Sequence, residues 1–290
     1  MSELVAKLAI GTAQFGMDYG IANVSGKPTK QEVFRILELA WEKGVRRFDT
    51  APDYGSEDAL GEFIESNGLE REIVLLTKLP GLGRTRDYQS AIRSSIESSL
   101  KRLACPIEIL FLHDPADFYL LLEDPDLFKV LSNEYPVKRL GVSVYEPRTV
   151  ERLAGCELEI AYQFPLNVLD RRFEQVEMPQ GDRYARSIFL QGLLASPNSL
   201  RSNAPLKLRA LHKDYHERVR AQGLNPVALA ISFVAKSDHA DFFLIGVDAE
   251  QQFQDIFNLP FELPPSLAFI DPLLSGIDEM LVDPRTWDSV

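Results

Sequence analysis

Short apolar runs alternate with longer stretches of helical spacing along almost the whole chain. The apolar runs fall at residues 8–11, 47–50, 73–78, 107–113, 140–144, 160–164, 187–190 and 242–247. They are nearly continuous in apolar side chains, as strands buried on both faces must be. Residues 30–43 place Val33, Ile36, Leu37, Ala40 and Trp41 on one helical face, with Thr29 as N-cap and Gly44 closing the end. Residues 90–103 carry Ile92, Ile96 and Leu100 on one stripe. Residues 226–235 repeat the pattern, with Asn225 as cap and Pro226 in the favoured first turn. Strands separated by helices predict a parallel sheet covered on both faces. About eight such units in this length predict an α/β fold, a closed (β/α)8 TIM barrel, rather than an open sheet. No G-x-G-x-x-G follows the first run, which also argues against an open dinucleotide-binding fold.

Two segments stand outside the repeat. Residues 206–223 (LKLRALHKDYHERVRAQG) form a basic amphipathic stretch, expected as an insertion between the seventh strand and its helix. From about residue 260 the tail is Pro-rich and then apolar, and is expected to pack back on the barrel. No linker of flexible composition occurs, so residues 1–290 are expected to form one domain.

The chain has 290 residues, 45% of them hydrophobic, enough for one large core. It carries 31 basic against 43 acidic residues, a formal net charge of −12. Such a surface repels phosphate backbones and anionic lipid, so no nucleic acid and no membrane is expected as partner. The first residues lack the apolar run and cleavage site of a secretory signal. No run approaches the ~20 apolar residues of a membrane helix, and a cytoplasmic protein is expected. Cys105 and Cys156 make neither a disulfide framework nor a zinc site and read as buried thiols. His212 and His216 are four apart, a spacing that can bind metal, but no third ligand accompanies them. A solvated helical face is the better reading, and no metal is expected. Trp287 either lines the substrate mouth or anchors the tail.

Barrel enzymes carry their chemistry at the C-terminal ends of the strands. The second run ends in FDTAPDYG with Asp49, Asp53 and Tyr54, and the third in LLTKLP with Lys78. The fourth ends in FLHDP with His113 and Asp114, the fifth in GVSVY with Ser143 and Tyr145, the sixth in AYQFPLN with Gln163 and Asn167. A lysine closing an apolar strand is costly unless paired, and Asp49 on the neighbouring strand is its natural partner. A tyrosine near pKa 10 is a weak acid toward a carbonyl oxygen at neutral pH. A buried ammonium beside it is expected to lower that pKa, with Asp49 orienting the ammonium and His113 completing a polar pocket.

These residues resemble the aldo-keto reductase family over nearly the whole length. Asp49 and Tyr54 match its Asp-x4-Tyr, Lys78 in TKLP its lysine, and His113 in LHDP its histidine. GTAQFG, with Gly11 and Thr12, resembles the first-strand motif; GVSVY, YQFPLN and RSIFLQGLL resemble the stretches that grip the cofactor. The C-terminal DPRTW resembles the end of a bacterial subgroup, some members of which sit with surface-polysaccharide enzymes. The resemblance implies reduction of a small-molecule aldehyde or ketone, sugar-like carbonyls included, by hydride from NADP(H) or NAD(H). It further implies that Ser143 and Gln163 hold the carboxamide and that Phe189 packs near the nicotinamide. Ser187, Gln191, Gly192 and Leu193 would run beside the pyrophosphate, with Gly246, Asp248 and Asp255 at the strand-eight side.

Departures accompany the match. Val144 stands where an Asn usually follows the strand-five serine, and Asp255-Ile256 stands roughly where Glu-Asn is expected. The family mostly prefers NADPH and reads its 2′-phosphate with basic groups, yet no Lys or Arg occurs between Lys236 and Arg285. A weakened NADPH preference follows. The acidic loop DPADFYLLLEDPD is expected to overhang the site and to disfavour strongly anionic substrates. Two other functions compete with a reductase: a lyase or aldolase using a Schiff base on Lys78, and a non-catalytic subunit that kept the barrel.

Overall fold

The structure, a computed structural model, describes residues 2–21, 23, 26–83, 85, 87–155, 159–198, 200 and 204–289; Cys156 lies outside them. Eight parallel strands close into a barrel in chain order. They are β1 (Leu8–Gly11), β2 (Arg47–Asp49), β3 (Val74–Leu79), β4 (Ile107–Leu112), β5 (Val137–Ser143), β6 (Ile160–Pro165), β7 (Arg183–Arg186) and β8 (Phe242–Gly246). β8 returns to pair with β1, Ile10 lying beside Ile245.

The helices of six residues or more are α1 (Ser2–Lys7), α2 (Lys30–Glu42), α3 (Glu57–Asn67), α4 (Tyr88–Leu103), α5 (Pro125–Glu134), α6 (Pro147–Leu153), α7 (Leu206–Ala221), α8 (Pro226–Ala235) and α9 (Glu250–Phe257). Helix α2 begins with a reciprocal cap: Glu32 N donates to Thr29 Oγ1, and Thr29 N donates to Glu32 Oε2 at 2.7 Å. Such caps contribute about 1 kcal/mol. Asn225 Oδ1 accepts from Val227 N and Ala228 N at the start of α8.

Period-two alternation divides the strand side chains between two cores. Ala9, Leu76, Ile109, Phe111, Ala161, Tyr184 and Leu244 fill the barrel interior. Leu75, Leu110, Leu112, Val142 and Phe243 belong to the larger core shared with the helices. Gly141 admits Phe111 to the interior, since a Cβ there would lie 2.5 Å from the ring. Two residues beyond each interior residue the same face continues to the barrel mouth, which places Gly11, Lys78, His113, Ser143, Gln163, Arg186 and Gly246 there together.

The seventh strand is displaced from expectation. It is Arg183–Arg186, whereas residues 187–190 turn away, with Ser187 and Leu190 in the left-handed region at φ 58° and 47°. The apolar SIFL run is buried or half-buried under the following loop, and the strand itself is flanked by charge, with Arg183 paired to Asp241 at 2.7 Å. Helix α7 lies between β7 and α8. The tail returns to the barrel: Ile270 and Leu273 are buried, and Arg218 Nη1 donates to the Phe269 carbonyl at 3.2 Å. Trp287 is buried and donates to Leu281 O at 3.1 Å, so it anchors the tail.

Candidate active site

A cleft of about 630 Å³ opens at the C-terminal mouth of the barrel. Its floor is a buried polar cluster. Lys78 closes β3 fully inside the protein, at 1% exposure, and donates from Nζ to Asp49 Oδ2 at 2.6 Å and to the Thr50 carbonyl at 2.9 Å. Removing an ammonium from water costs on the order of several kcal/mol, which only such partners offset. The other oxygen of Asp49, Oδ1, accepts from Gln163 Nε2 at 2.8 Å, and Ser143 Oγ donates to Gln163 Oε1 at 3.4 Å. Residues from β2, β3, β5 and β6 are thereby joined in one network.

Tyr54 stands over this floor on the turn Pro52–Tyr54, where Pro52 and Gly55 (φ 69°) set the turn. Lys78 Nζ lies 4.9 Å from the centre of its ring, and the His113 ring meets it edge to face at 6.4 Å. Hydroxyls clamp the turn from below: Ser56 Oγ lies 2.8 Å from Thr12 Oγ1 and 3.0 Å from Thr50 Oγ1, and Thr12 Oγ1 donates to the Asp49 carbonyl. The next residue, Glu57, is buried and accepts from Thr77 Oγ1, Ser99 Oγ and Arg102.

The electrostatics differ from expectation. Burial, and then Asp49, push the Tyr54 hydroxyl well above the ordinary tyrosine range, while Arg186 pulls it down. Burial also lowers the Lys78 ammonium, against the opposing pull of Asp49. Burial, with Lys78 and Arg186, lowers His113 to about 4, so its imidazole is neutral near pH 7.

The cleft brings together Gly11, Asp49, Tyr54, His113, Ser143, Gln163, Ser187, Phe189, Gln191, Gly192, Gly246, Asp248 and Asp255. Two expected cofactor positions are not on its wall. Thr12 is buried beneath the Tyr54 turn, and Leu193 points into the apolar core. Val144 is fully buried as well. Burial raises the Asp248 carboxyl above its ordinary value, and Asp255 Oδ1 accepts from Gln251 Nε2 at 2.7 Å.

Residues 114–126 do not line the cleft, which corrects the expected overhang. Three of their carboxylates are held by the chain: Asp114 Oδ1 accepts from Ala116 N, Asp117 Oδ2 from Leu82 N, and Asp124 from Leu127 N and Tyr88. His212 and His216 are buried rather than solvated, with Nε2 against Ser196 O at 2.9 Å and Leu193 O at 3.0 Å. They tie the cleft wall to α7. Among the described residues no group of His, Cys, Asp and Glu is arranged to hold a metal, and no helix is long and apolar enough to cross a membrane.

The sequence reading missed Arg186 and Tyr19 as wall residues, while Tyr145, named at the end of the fifth strand, does line the cleft. Arg186 was hidden by the misplaced seventh strand; alternation from Tyr184 finds it once β7 is set at RYAR. Tyr19 comes from an irregular loop with no periodic signal.

Among solved structures, a glycerol dehydrogenase from Gluconobacter oxydans superposes with a TM-score of 0.69 at 23% identity, covering 93% of this chain and 92% of its own. That likeness is one of fold. A D-threo-aldose 1-dehydrogenase of a Pseudomonas species is 33% identical over 172 residues, 47% of this chain and 52% of that enzyme. A norsolorinic acid reductase of Emericella nidulans is 33% identical over 124 residues, 38% of this chain and 32% of its own length. The matches therefore span about half of the first relative and a third of the second. The model of the Aldo/keto reductase family matches residues 7–266, nearly the whole barrel with the four polar residues of its mouth, and the chain belongs to that family.

Proposed function

We propose that the protein is an oxidoreductase that reduces an aldehyde or ketone, with Tyr54 as general acid. The observation that carries this reading is the placement of Tyr54 and His113 on the cleft, above a Lys78–Asp49 pair sealed beneath them. Tyr54 keeps its proton at neutral pH and is held rigidly enough to present it to a carbonyl oxygen. A neutral His113 retains one N–H to donate to the same oxygen. As negative charge develops on that oxygen, the Tyr54 proton transfers, and the field of Arg186 stabilises the phenolate left behind.

The cleft has a fitting volume for a nicotinamide cofactor, since sites for small molecules and cofactors run to roughly 300–1,000 Å³. Ser143 and Gln163 present a hydroxyl and an amide at its floor, as a carboxamide requires. The wall at residues 187–192 carries strained left-handed positions at Ser187, Leu190 and Gln191, the kind of conformation retained at ligand sites. A bound NADH or NADPH would supply the hydride.

The wall beyond β8 offers Asp248, Gln252 and Asp255, and Arg186 is the one guanidinium or ammonium among the described cleft residues. A carboxylate repels a 2′-phosphate dianion but accepts hydrogen bonds from ribose hydroxyls. NADH is therefore expected to bind at least as well as NADPH. The Schiff-base alternative is disfavoured by geometry, because Lys78 Nζ is committed to Asp49 and Thr50 and does not reach the cleft wall.

Titrating NADH and NADPH against intrinsic fluorescence, then following nicotinamide oxidation with a panel of aldehydes, ketones and keto sugars, tests the reading. Saturable binding and turnover support it; binding of neither nucleotide overturns it.

A further inference from the structure

The cleft holds a guanidinium that acts on Tyr54 through its field alone, so its open hydrogen-bond donors are left unused by the proton transfer. Arg186 ends β7 on the inward face, two residues beyond the interior Tyr184. Its Nη2 donates to the Val144 carbonyl at 3.1 Å and its Nη1 to Ser187 Oγ at 3.2 Å. An arginine has five N–H donors, so part of the fork stays open, and none of its remaining nitrogens is buried without a partner. Among the described residues no carboxylate lies within ion-pair distance of it. The carboxylates nearby are otherwise engaged: Asp49 with Lys78, and Asp283 with Arg285 at 2.5 Å.

The position is built, not incidental. The guanidinium lies 3.8 Å from the centre of the Tyr145 ring, and Arg285 from the tail lies 3.5 Å from the same centre. Two cations that close cannot share a face, so the ring is sandwiched between them. Arg285 is neutralised by Asp283 and stiffens the stack from behind, leaving Arg186 as its charged front. The charge of Arg186 reaches Tyr19, Tyr54, Lys78 and His113, the groups at the reacting end of the cleft. An unpaired guanidinium in a half-buried cleft is the standard means of gripping a carboxylate or phosphate in two-point fashion.

We infer that Arg186, braced by Tyr145, is a binding site for a carboxylate or phosphate group carried by the carbonyl substrate. Resting on the reductase reading, this names the substrate class: an aldehyde or ketone with an anionic group a short distance from its carbonyl. None of the carboxylates of residues 114–126 lies on the cleft wall, and those of Asp114, Asp117 and Asp124 accept from backbone N–H groups.

The test compares matched substrates that differ in charge: succinic semialdehyde against its methyl ester, and glyceraldehyde 3-phosphate against glyceraldehyde. In the wild type the anionic member of each pair is favoured, mainly through KM. Arg186→Gln is expected to lower that preference by about 10–100-fold, the loss of one charge-assisted paired contact. Arg186→Lys keeps the charge without the fork and should retain part of it. Tyr145→Leu, which removes the brace, should fall between the two. In parallel, calorimetric titration of succinate and inorganic phosphate into the cofactor-free protein should show binding that Arg186→Gln abolishes.

An unchanged preference in Arg186→Gln overturns the inference. So does an equal loss for charged and neutral substrates together with weakened NADH binding, which would assign the guanidinium to the dinucleotide pyrophosphate. If no carbonyl is reduced with either nucleotide, the reductase reading fails on its own, and the succinate and phosphate titrations still decide whether the anion site exists.

Discussion

Gly16 and Tyr54 touch through their backbones: a Cβ on Gly16 would lie 1.7 Å from the Tyr54 carbonyl oxygen and 2.6 Å from the carbonyl carbon of Gly55. No side chain fits there without moving the turn that carries the proposed acid. The final glycine of GTAQFG thus sets how closely the Tyr54 turn can approach, though it lies outside the cleft wall. Gly16→Ala is expected to displace Tyr54 and lower kcat by about 10²-fold, the cost of roughly ångström-scale misplacement. Steady-state kinetics beside a thermal melt check this. Full activity in a folded variant would show that the turn relaxes freely.

Tyr54→Phe keeps the ring under which Lys78 lies and removes only the proton donor. Nucleotide affinity should survive, while kcat falls by about 10²–10⁴-fold. Near-normal turnover in that variant, with the chemical step limiting, would remove Tyr54 from the acid's role.

Lys78 and Asp49 should behave as one unit. Lys78→Met leaves Asp49 as a buried carboxylate held only by Gln163 and is expected to destabilise the fold by about 3–5 kcal/mol. Asp49→Asn leaves Lys78 the Thr50 carbonyl and should cost less. The double variant should be more stable than the sum of the single losses implies, by more than about 0.5 kcal/mol. Denaturant unfolding of the four proteins measures the coupling, and simple additivity would mean the pair is not energetically linked.

His113 gives a pH dependence of known sign. Its native pKa, about 4, lies below the ordinary value of 6.5. Between those values the unfolded chain binds a proton that the native protein refuses. Its contribution to stability is therefore complete above about pH 6.5 and is lost as pH falls toward 4. Comparing melting temperatures of wild type and His113→Gln from pH 7.5 down to 4.5 isolates it. The wild type should lose more stability on acidification than the variant; parallel curves would place the histidine in a wetter setting.

The barrel was legible because its signals are local. Thr29 with Glu32, and Asn225 with Pro226, announce their helices within a few residues. Short, mostly apolar runs such as residues 107–112, broken only by Glu108, fit strands covered on both sides. The mouth was legible where a costly residue demanded a partner, as Lys78 demanded Asp49. β7 was not, because its RYAR strand begins and ends in arginine, Arg183 pairing with Asp241 beside β8, while the more apolar SIFL that follows is packed as a turn. One misplaced strand moved the predicted strand end from Arg186 to residues beyond it. The direction of the Tyr54 shift had another origin: it is set first by burial of the hydroxyl and then by Asp49, and the depth at which a turn residue sits is not written in the spacing along the chain.

The two buried histidines of α7 bear on how a nucleotide would arrive. Because carbonyl oxygens only accept, both imidazoles must carry a proton on Nε2, and each fastens the segment bearing Ser187, Phe189 and Gln191 to a long helix. The described part of that wall is already assembled before anything enters, so its ordering entropy is met during folding rather than on encounter. Association should then be a single-step process: in rapid mixing, one exponential whose observed rate climbs linearly with nucleotide concentration, without the plateau that a slow closing step imposes. Loosening the fastening with His216→Ala should introduce that plateau and slow the approach to equilibrium, even where the final affinity changes little.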